Sequence, residues 1–490
     1  RGAWFLALDK TEDLLEENKD DQVLMKAIAV LNTYLGQDEG ADAWRDYLAT
    51  IDNASDDAIE AEAYAQMLEN QSNPDVQPIN RVLYYVADLD EVQELLVASD
   101  QARLVPSPGF SNEDPDNPPP RAIFVLTDRP QPQSGADLTL EQVPIGIASI
   151  YLFGKQTDRE ARIELVPSSI GGEQTAGDAL TDLADGKLGK PDSSEEISQV
   201  PVLTDSMAWN PVFPEDTPQE KIQELSLEHR NTSLTELFPK IKLAALEGMT
   251  PEEASVDFEG RIKLEACLLI IESNLQCRDH NATLNEVRES LNLNGFEAVD
   301  PSDVDLNQVP DIRLARYDVS KLNTQQLGDV YQRCYFVGFR RGFINAAEEI
   351  IKRDEKPPHV NMSDVYAALL ESRDSLEGRL ELVELAKAEI SEQESPAAWL
   401  LREIPLRLMN QEAQAASDLI RKLETDHINE PGIAEQLYGL LVQMGVMNPD
   451  GTRATPSGPA SDQSEGGIWT PGSDSNNAGD SEGSGLWIPD

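Results

Sequence analysis

Positive charge is scarce in this sequence. Lys and Arg number 39 against 90 Asp and Glu, a formal net charge of −51. Such a surface repels phosphate backbones and anionic bilayers, which excludes nucleic acid and membrane surfaces as general partners. The acid excess is spread along the whole chain and reads first as a solubility device. Cysteine is scarcer still: Cys267, Cys277 and Cys334 form an odd, sparse set. That is no disulfide framework, and it fits a reducing compartment. Histidine is limited to His229, His280, His359 and His427, which leaves few bases for a nucleophilic mechanism. Long apolar runs are lacking as well. The strongest, near Ala266–Ile271, falls far short of the roughly 20 residues of a membrane span. The expectation is a cytoplasmic protein without membrane insertion. Ala3–Leu8 is too short for a signal core, and the first residue is Arg1 rather than Met, so a segment upstream of Arg1 would override that expectation.

What is present is helical periodicity. The 490 residues, 40% of them apolar, suffice for about three packed units. Residues 1–75 read as helical hairpins. Leu24, Ala27, Ile28, Leu31 and Leu35 fall on one helical face behind Asp21, and Trp44, Tyr47, Leu48 and Ile51 on the next. Residues 76–170 change period and predict a small α+β domain. Its strands are Arg81–Ala87, Ala122–Leu126, Ile145–Phe153 and Ala161–Val166, with a helix over Asp88–Ser99. Residues 171–230, rich in Gly, Ser, Asp and Pro, predict a flexible linker. Residues 231–360 predict a helical domain. Thr250, Pro251 and Glu253 supply a capping box, and one long helix is expected over Asn323–Arg353.

Residues 361–449 carry the clearest repeat. Pro396 and Pro431 open helices 35 positions apart, and Leu406/Leu441 and Met409/Met444 keep that offset. Pro405 is expected to kink its helix. Residues 450–490, low in complexity and without apolar periodicity, predict a disordered acidic tail. The fold class is therefore mainly α: solenoid-like helical hairpins, a small α+β insert and a disordered C-terminal tail.

The hairpins at both ends resemble tetratricopeptide-like repeats, on the 35-residue offsets of Asp21/Asp56 and Pro396/Pro431. With the hairpin at 152–166 and the Trp-Pro tail, the arrangement is also similar in style to large repeat proteins of planctomycete-type bacteria. The resemblance implies binding of other proteins in a concave groove and assigns no activity.

Candidate chemistry is thin. Cys277-Arg-Asp-His280 is a C-x-x-H pair without two further ligands, so no metal site is expected. Gly154-Lys-Gln-Thr157 lacks the first glycine and the closing residue of a phosphate loop, and no cofactor is expected. Tyr335-Phe-Val-Gly-Phe-Arg-Arg-Gly-Phe343 is a basic, aromatic island. Its helical flanks predict aromatics packed inward, with Arg340 and Arg341 paired to acids.

The tail differs from all of this. Gly467-Ile-Trp-Thr-Pro-Gly472 and Gly485-Leu-Trp-Ile-Pro-Asp490 repeat one pattern. A Trp in a solvated segment gains no core, yet is a typical anchor for a partner's pocket. Ile468, Trp469, Pro471, Leu486, Trp487 and Pro489 are therefore the expected partner-binding residues. The sequence reads best as a non-catalytic interaction scaffold or adaptor for other proteins. The alternative is an enzyme with its site in the α+β domain. No oligomeric state follows from these patterns.

Overall fold

The computed structural model describes residues 2–51, 55–105, 119–155, 159–274, 280–295, 298–302, 305–306, 309–373, 375–389 and 395–447. The chain divides into two compact units. One comprises Arg1–Val299 and Gln308–Arg316, the other Asp300–Asn307 and Tyr317–Asp490.

The first unit begins with helices Gly2–Glu17, Gln22–Leu35, Gly40–Leu48 and Asp56–Ser72, each packed against the next. The Asp21 carboxylate accepts the Val23 and Leu24 N–H groups at 2.9 and 3.2 Å, fixing the second helix start. Ala29, Ala61 and Ala65 let the helices approach closely around Trp44 and Tyr47. The Trp44 ring stacks on Tyr64 at 4.8 Å. This segment is helical as its periodicity predicts.

The sheet that follows has six strands: β1 (Val76–Val86), β2 (Ala102–Val105), β3 (Ala122–Thr127), β4 (Gly146–Phe153), β5 (Arg162–Pro167) and β6 (Leu188–Pro201). Their order is β2-β3-β4-β5-β1-β6, and every pair is antiparallel. Alternation sends Val82, Tyr84, Phe124, Ile150, Ile163 and Leu165 to one face. There they are buried with Val92 and Leu96 of helix Leu89–Ala98 and Leu180 of helix Glu173–Leu183. The opposite face carries Arg81, Leu83, Tyr85, Arg162 and Glu164.

The flexible linker expected over 171–230 is not found. That stretch holds helix Glu173–Leu183, strand β6 and helix Gln219–Thr232. β6 pairs with β1 from Val76↔Pro201 to Val86↔Leu188. Its side chains are almost all exposed, so backbone pairing holds it rather than burial. Pro191, Asp192, Glu195 and Glu196 suit an edge strand that must resist further pairing. The sheet domain thus extends to Pro201, beyond the expected limit at residue 170.

Helices Phe258–Asn274 and His280–Ser290 complete the first unit, with a core that includes Leu264, Leu268, Leu284 and Val287. The Thr250 capping box forms as expected, with the Glu253 N–H donating to Thr250 Oγ1 at 3.2 Å and Glu253 Oε2 accepting the Thr250 N–H at 2.9 Å. The unit also takes in the segment Gln308–Arg316. Arg313 grips Glu60 of helix Asp56–Ser72 through two hydrogen bonds of 2.6 and 2.7 Å, and reaches Asp57 at 3.0 Å.

The main elements of the second unit are helices: Thr324–Val337, Arg340–Lys352, Met362–Ser372, Leu376–Glu389, Ala397–Met409, Ala413–Lys422 and Ile433–Gln443. The helix containing Pro405 runs without interruption from Ala397 to Met409. Leu406 and Leu441, 35 residues apart, are both buried, whereas Met409 is exposed and its counterpart Met444 packs against the cluster around Leu441.

The single helix expected over Asn323–Arg353 is two helices. Gly338 stands between them at φ +83°. Its N–H donates to the Tyr335 carbonyl at 3.3 Å, and the Phe339 N–H donates to the Cys334 carbonyl at 2.9 Å. This is the paired closure of a left-handed helix stop. A Cβ at Gly338 would meet nothing within 4 Å, so only the backbone angle resists substitution. Gly338→Ala is expected to destabilise the chain by about 1 kcal/mol, read from a denaturant midpoint.

Candidate functional site

Gly338 decides what the basic, aromatic island becomes. Ending the helix there sorts its rings onto two sides. Tyr331 and Phe339 are buried, as the inward-packing expectation requires. Tyr335 and Phe336 are not: they are 57% and 90% exposed. Tyr335 is held in a short ladder, with Tyr331 stacked at 6.0 Å on one side and Phe343 edge-on at 5.5 Å on the other. Arg340 lies 3.8 Å from Glu371, so its expected pairing to an acid is present. Arg341 is buried. The result is an apolar projection at a helix end, on a helix that also exposes Asp329 and Gln332.

A second feature of this unit is a small groove of about 280 Å³ between helices Ala397–Met409 and Ile433–Gln443, lined by Leu401, Arg402, Gln436 and Leu440. The six expected anchors Ile468, Trp469, Pro471, Leu486, Trp487 and Pro489 lie outside the described residues, as does all of 448–490.

In the first unit, the open sheet face holds a depression of about 570 Å³. Cross-strand register builds it: Leu83 faces Glu164 and Tyr85 faces Arg162 across β1 and β5, while Arg81 faces Glu195 across β1 and β6. Glu164 accepts from Arg81 at 2.8 Å and from Arg162 Nε at 2.8 Å. Arg81 also reaches Glu195 at 2.5 Å, and this hydrogen bond raises the Arg81 pKa above its ordinary value. The Arg162 guanidinium lies 4.2 Å over the Phe153 ring. Sequence reading misses this cluster because its members come from three strands, one of which reads as linker.

Two serine–histidine contacts occur among the described residues, and neither shows an acid on the other ring nitrogen. His229 stacks on Trp209 at 4.6 Å and touches Ser233 at 3.1 Å, with burial lowering its pKa. His359 sits 3.2 Å from Asp329. Ser395, His427 and Glu430 do converge. However, the serine hydroxyl at 3.5 Å and the carboxylate at 2.6 Å both address Nδ1. A base needs its two nitrogens divided between nucleophile and orienting acid.

Carboxyls raised by burial, Glu60, Glu62 and Glu265, stand on helices outside the sheet domain. Among the described residues no group of three or more His, Cys, Asp or Glu is placed to hold a metal ion. Cys277 and the His280 side chain lie outside that description, while Cys267 and Cys334 are buried. No described helix is long and apolar enough to cross a membrane. No family model, curated protein or solved structure matches the chain.

Proposed function

We propose that this chain is a non-catalytic scaffold or adaptor that binds other proteins through its helical-hairpin surfaces and the duplicated Trp-Pro motifs of its tail. The observation that carries the reading is Phe336, 90% exposed beside Tyr335 on a helix end. A ring as exposed as Phe336 on a rigid element adds little to folding and suits a hot spot at a protein interface. The solenoid-like stacking and the partner role of Trp469 and Trp487 belong to the same proposal. Two motifs 18 residues apart allow avidity. The net charge of −51 favours protein partners over nucleic acid or anionic membrane.

The test compares the full chain with Phe336→Ser and with Trp469→Ala/Trp487→Ala. Each variant is expected to weaken capture of the partner that its own surface binds, by about 2–4 kcal/mol for a lost hot spot. Thermal stability should stay near that of the parent. Unchanged capture by both variants overturns the proposal. A large stability loss in the tail variant shows instead that the motifs pack on the chain's own body.

A further inference from the structure

The depression on the open sheet face has an unusual charge balance for this molecule. Arg81, Arg159 and Arg162 line it together with Glu160, Glu164 and Glu195. That is three cations to three carboxylates in a chain whose acids outnumber its bases by more than two to one. The pairing within the cluster is uneven. Lys155 takes Glu160 at 2.9 Å, and Arg81 is divided between Glu164 and Glu195. Arg162 spends its Nε on Glu164 and keeps its two terminal nitrogens without a described partner. Arg159 makes no ion pair among the described residues.

Two forks therefore face the depression with donors to spare. Arg162 is held rigid by Glu164 beneath it and Phe153 alongside. Glu164 is nearly buried, its side chain 11% exposed, and it orients the arginines more than it fills the space. A guanidinium fixed in this way loses little freedom on binding, and its geometry matches a carboxylate or phosphate. The rest of the lining is Leu83, the Tyr85 ring, 46% exposed, and Ser193. The volume falls within the range of small-molecule sites.

We infer that this depression binds a small organic oxyanion, a phosphate monoester or carboxylate on a flat apolar body, with Arg159 and Arg162 taking the oxyanion and Tyr85 and Leu83 the body. This is independent of the scaffold reading, which rests on the other unit and the tail.

Calorimetric titration of the full chain tests it with phenyl phosphate, phthalate and inorganic phosphate. Saturable binding of phenyl phosphate or phthalate is expected, and whichever binds tighter identifies the oxyanion. Inorganic phosphate should bind more weakly than phenyl phosphate, a difference that Tyr85→Ala removes. Arg159→Gln should weaken binding about tenfold, the loss of a charge-assisted contact. Because Arg159 is exposed and outside the described ion-pair network, this variant should keep the parent's thermal stability. Arg162→Lys should also lower affinity, since a point charge lacks the fork. Absence of saturable binding by both organic probes overturns the inference. So does binding that Arg159→Gln and Arg162→Lys leave unchanged.

Discussion

Arg313→Met is expected to destabilise the first unit by about 3–5 kcal/mol, the cost of stripping one partner from a buried ion pair. Glu60 is 1% exposed, and Arg313 is its principal counter-charge, through hydrogen bonds of 2.6 and 2.7 Å. Burial pushes the Glu60 carboxyl above the usual carboxylate range, and Arg313 pulls it back. Removing Arg313 leaves only the upward push. A carboxyl whose folded pKa exceeds its unfolded value takes up a proton on folding. Its cost is then greatest at neutral pH and fades as pH falls through the folded value. The variant should therefore recover part of its lost stability on mild acidification, relative to the parent. Adding Glu60→Gln should recover part of the loss at neutral pH, because no uncompensated charge remains. Urea denaturation of the parent, the single variant and the double variant at two pH values gives both answers. A loss in Arg313→Met under about 1 kcal/mol would mean that the pair behaves like a solvent-exposed one.

Trp399→Ala is expected to cost the second unit a comparable amount, about 3–5 kcal/mol for an aromatic removed from a packed core. Trp399 is among the largest fully buried side chains. It meets the Tyr366 ring edge-on at 6.2 Å, and the Arg402 guanidinium lies 4.9 Å from its centre. Its indole Nε1 is buried without a hydrogen-bond partner. The site therefore values the ring's volume above its N–H. Trp399→Phe should cost much less than Trp399→Ala, since it keeps most of the contact and discards an unsatisfied donor. Equal losses in the two variants, measured by chemical denaturation, would contradict this reading of the site.

The contrast between Trp399 and Phe336 shows what a single sequence discloses. Trp399 stands on a periodic apolar face with Leu400 and Ile404, and burial follows from the period. Phe336 stands in an equally aromatic segment, but its exposure depends on where the helix stops. That stop rests on Gly338 at φ +83°. A glycine inside a helical pattern costs only about 1 kcal/mol, too little for the pattern alone to mark a break. The capping box of Thr250 and Glu253 was legible because its chemistry is local. Strand β6 was not, because Leu188–Pro201 lacks the apolar alternation that marks a half-buried strand. Its place is dictated by the free edge of β1, more than 100 residues earlier at Val76–Val86. The arginine cluster was hidden for the same reason: Arg81, Arg162 and Glu195 meet only once the strands pair.

The scaffold reading makes the face carrying Tyr335 and Phe336 a partner surface together with the tail. Its most direct test places a photo-crosslinking phenylalanine analogue at position 336, and separately at 469 and 487, in the full chain, under conditions where the natural partners are present. The account predicts that position 336 crosslinks to another protein, and that 469 and 487 crosslink to other proteins rather than to this chain. Crosslinks confined to the chain's own helices at all three positions would contradict it.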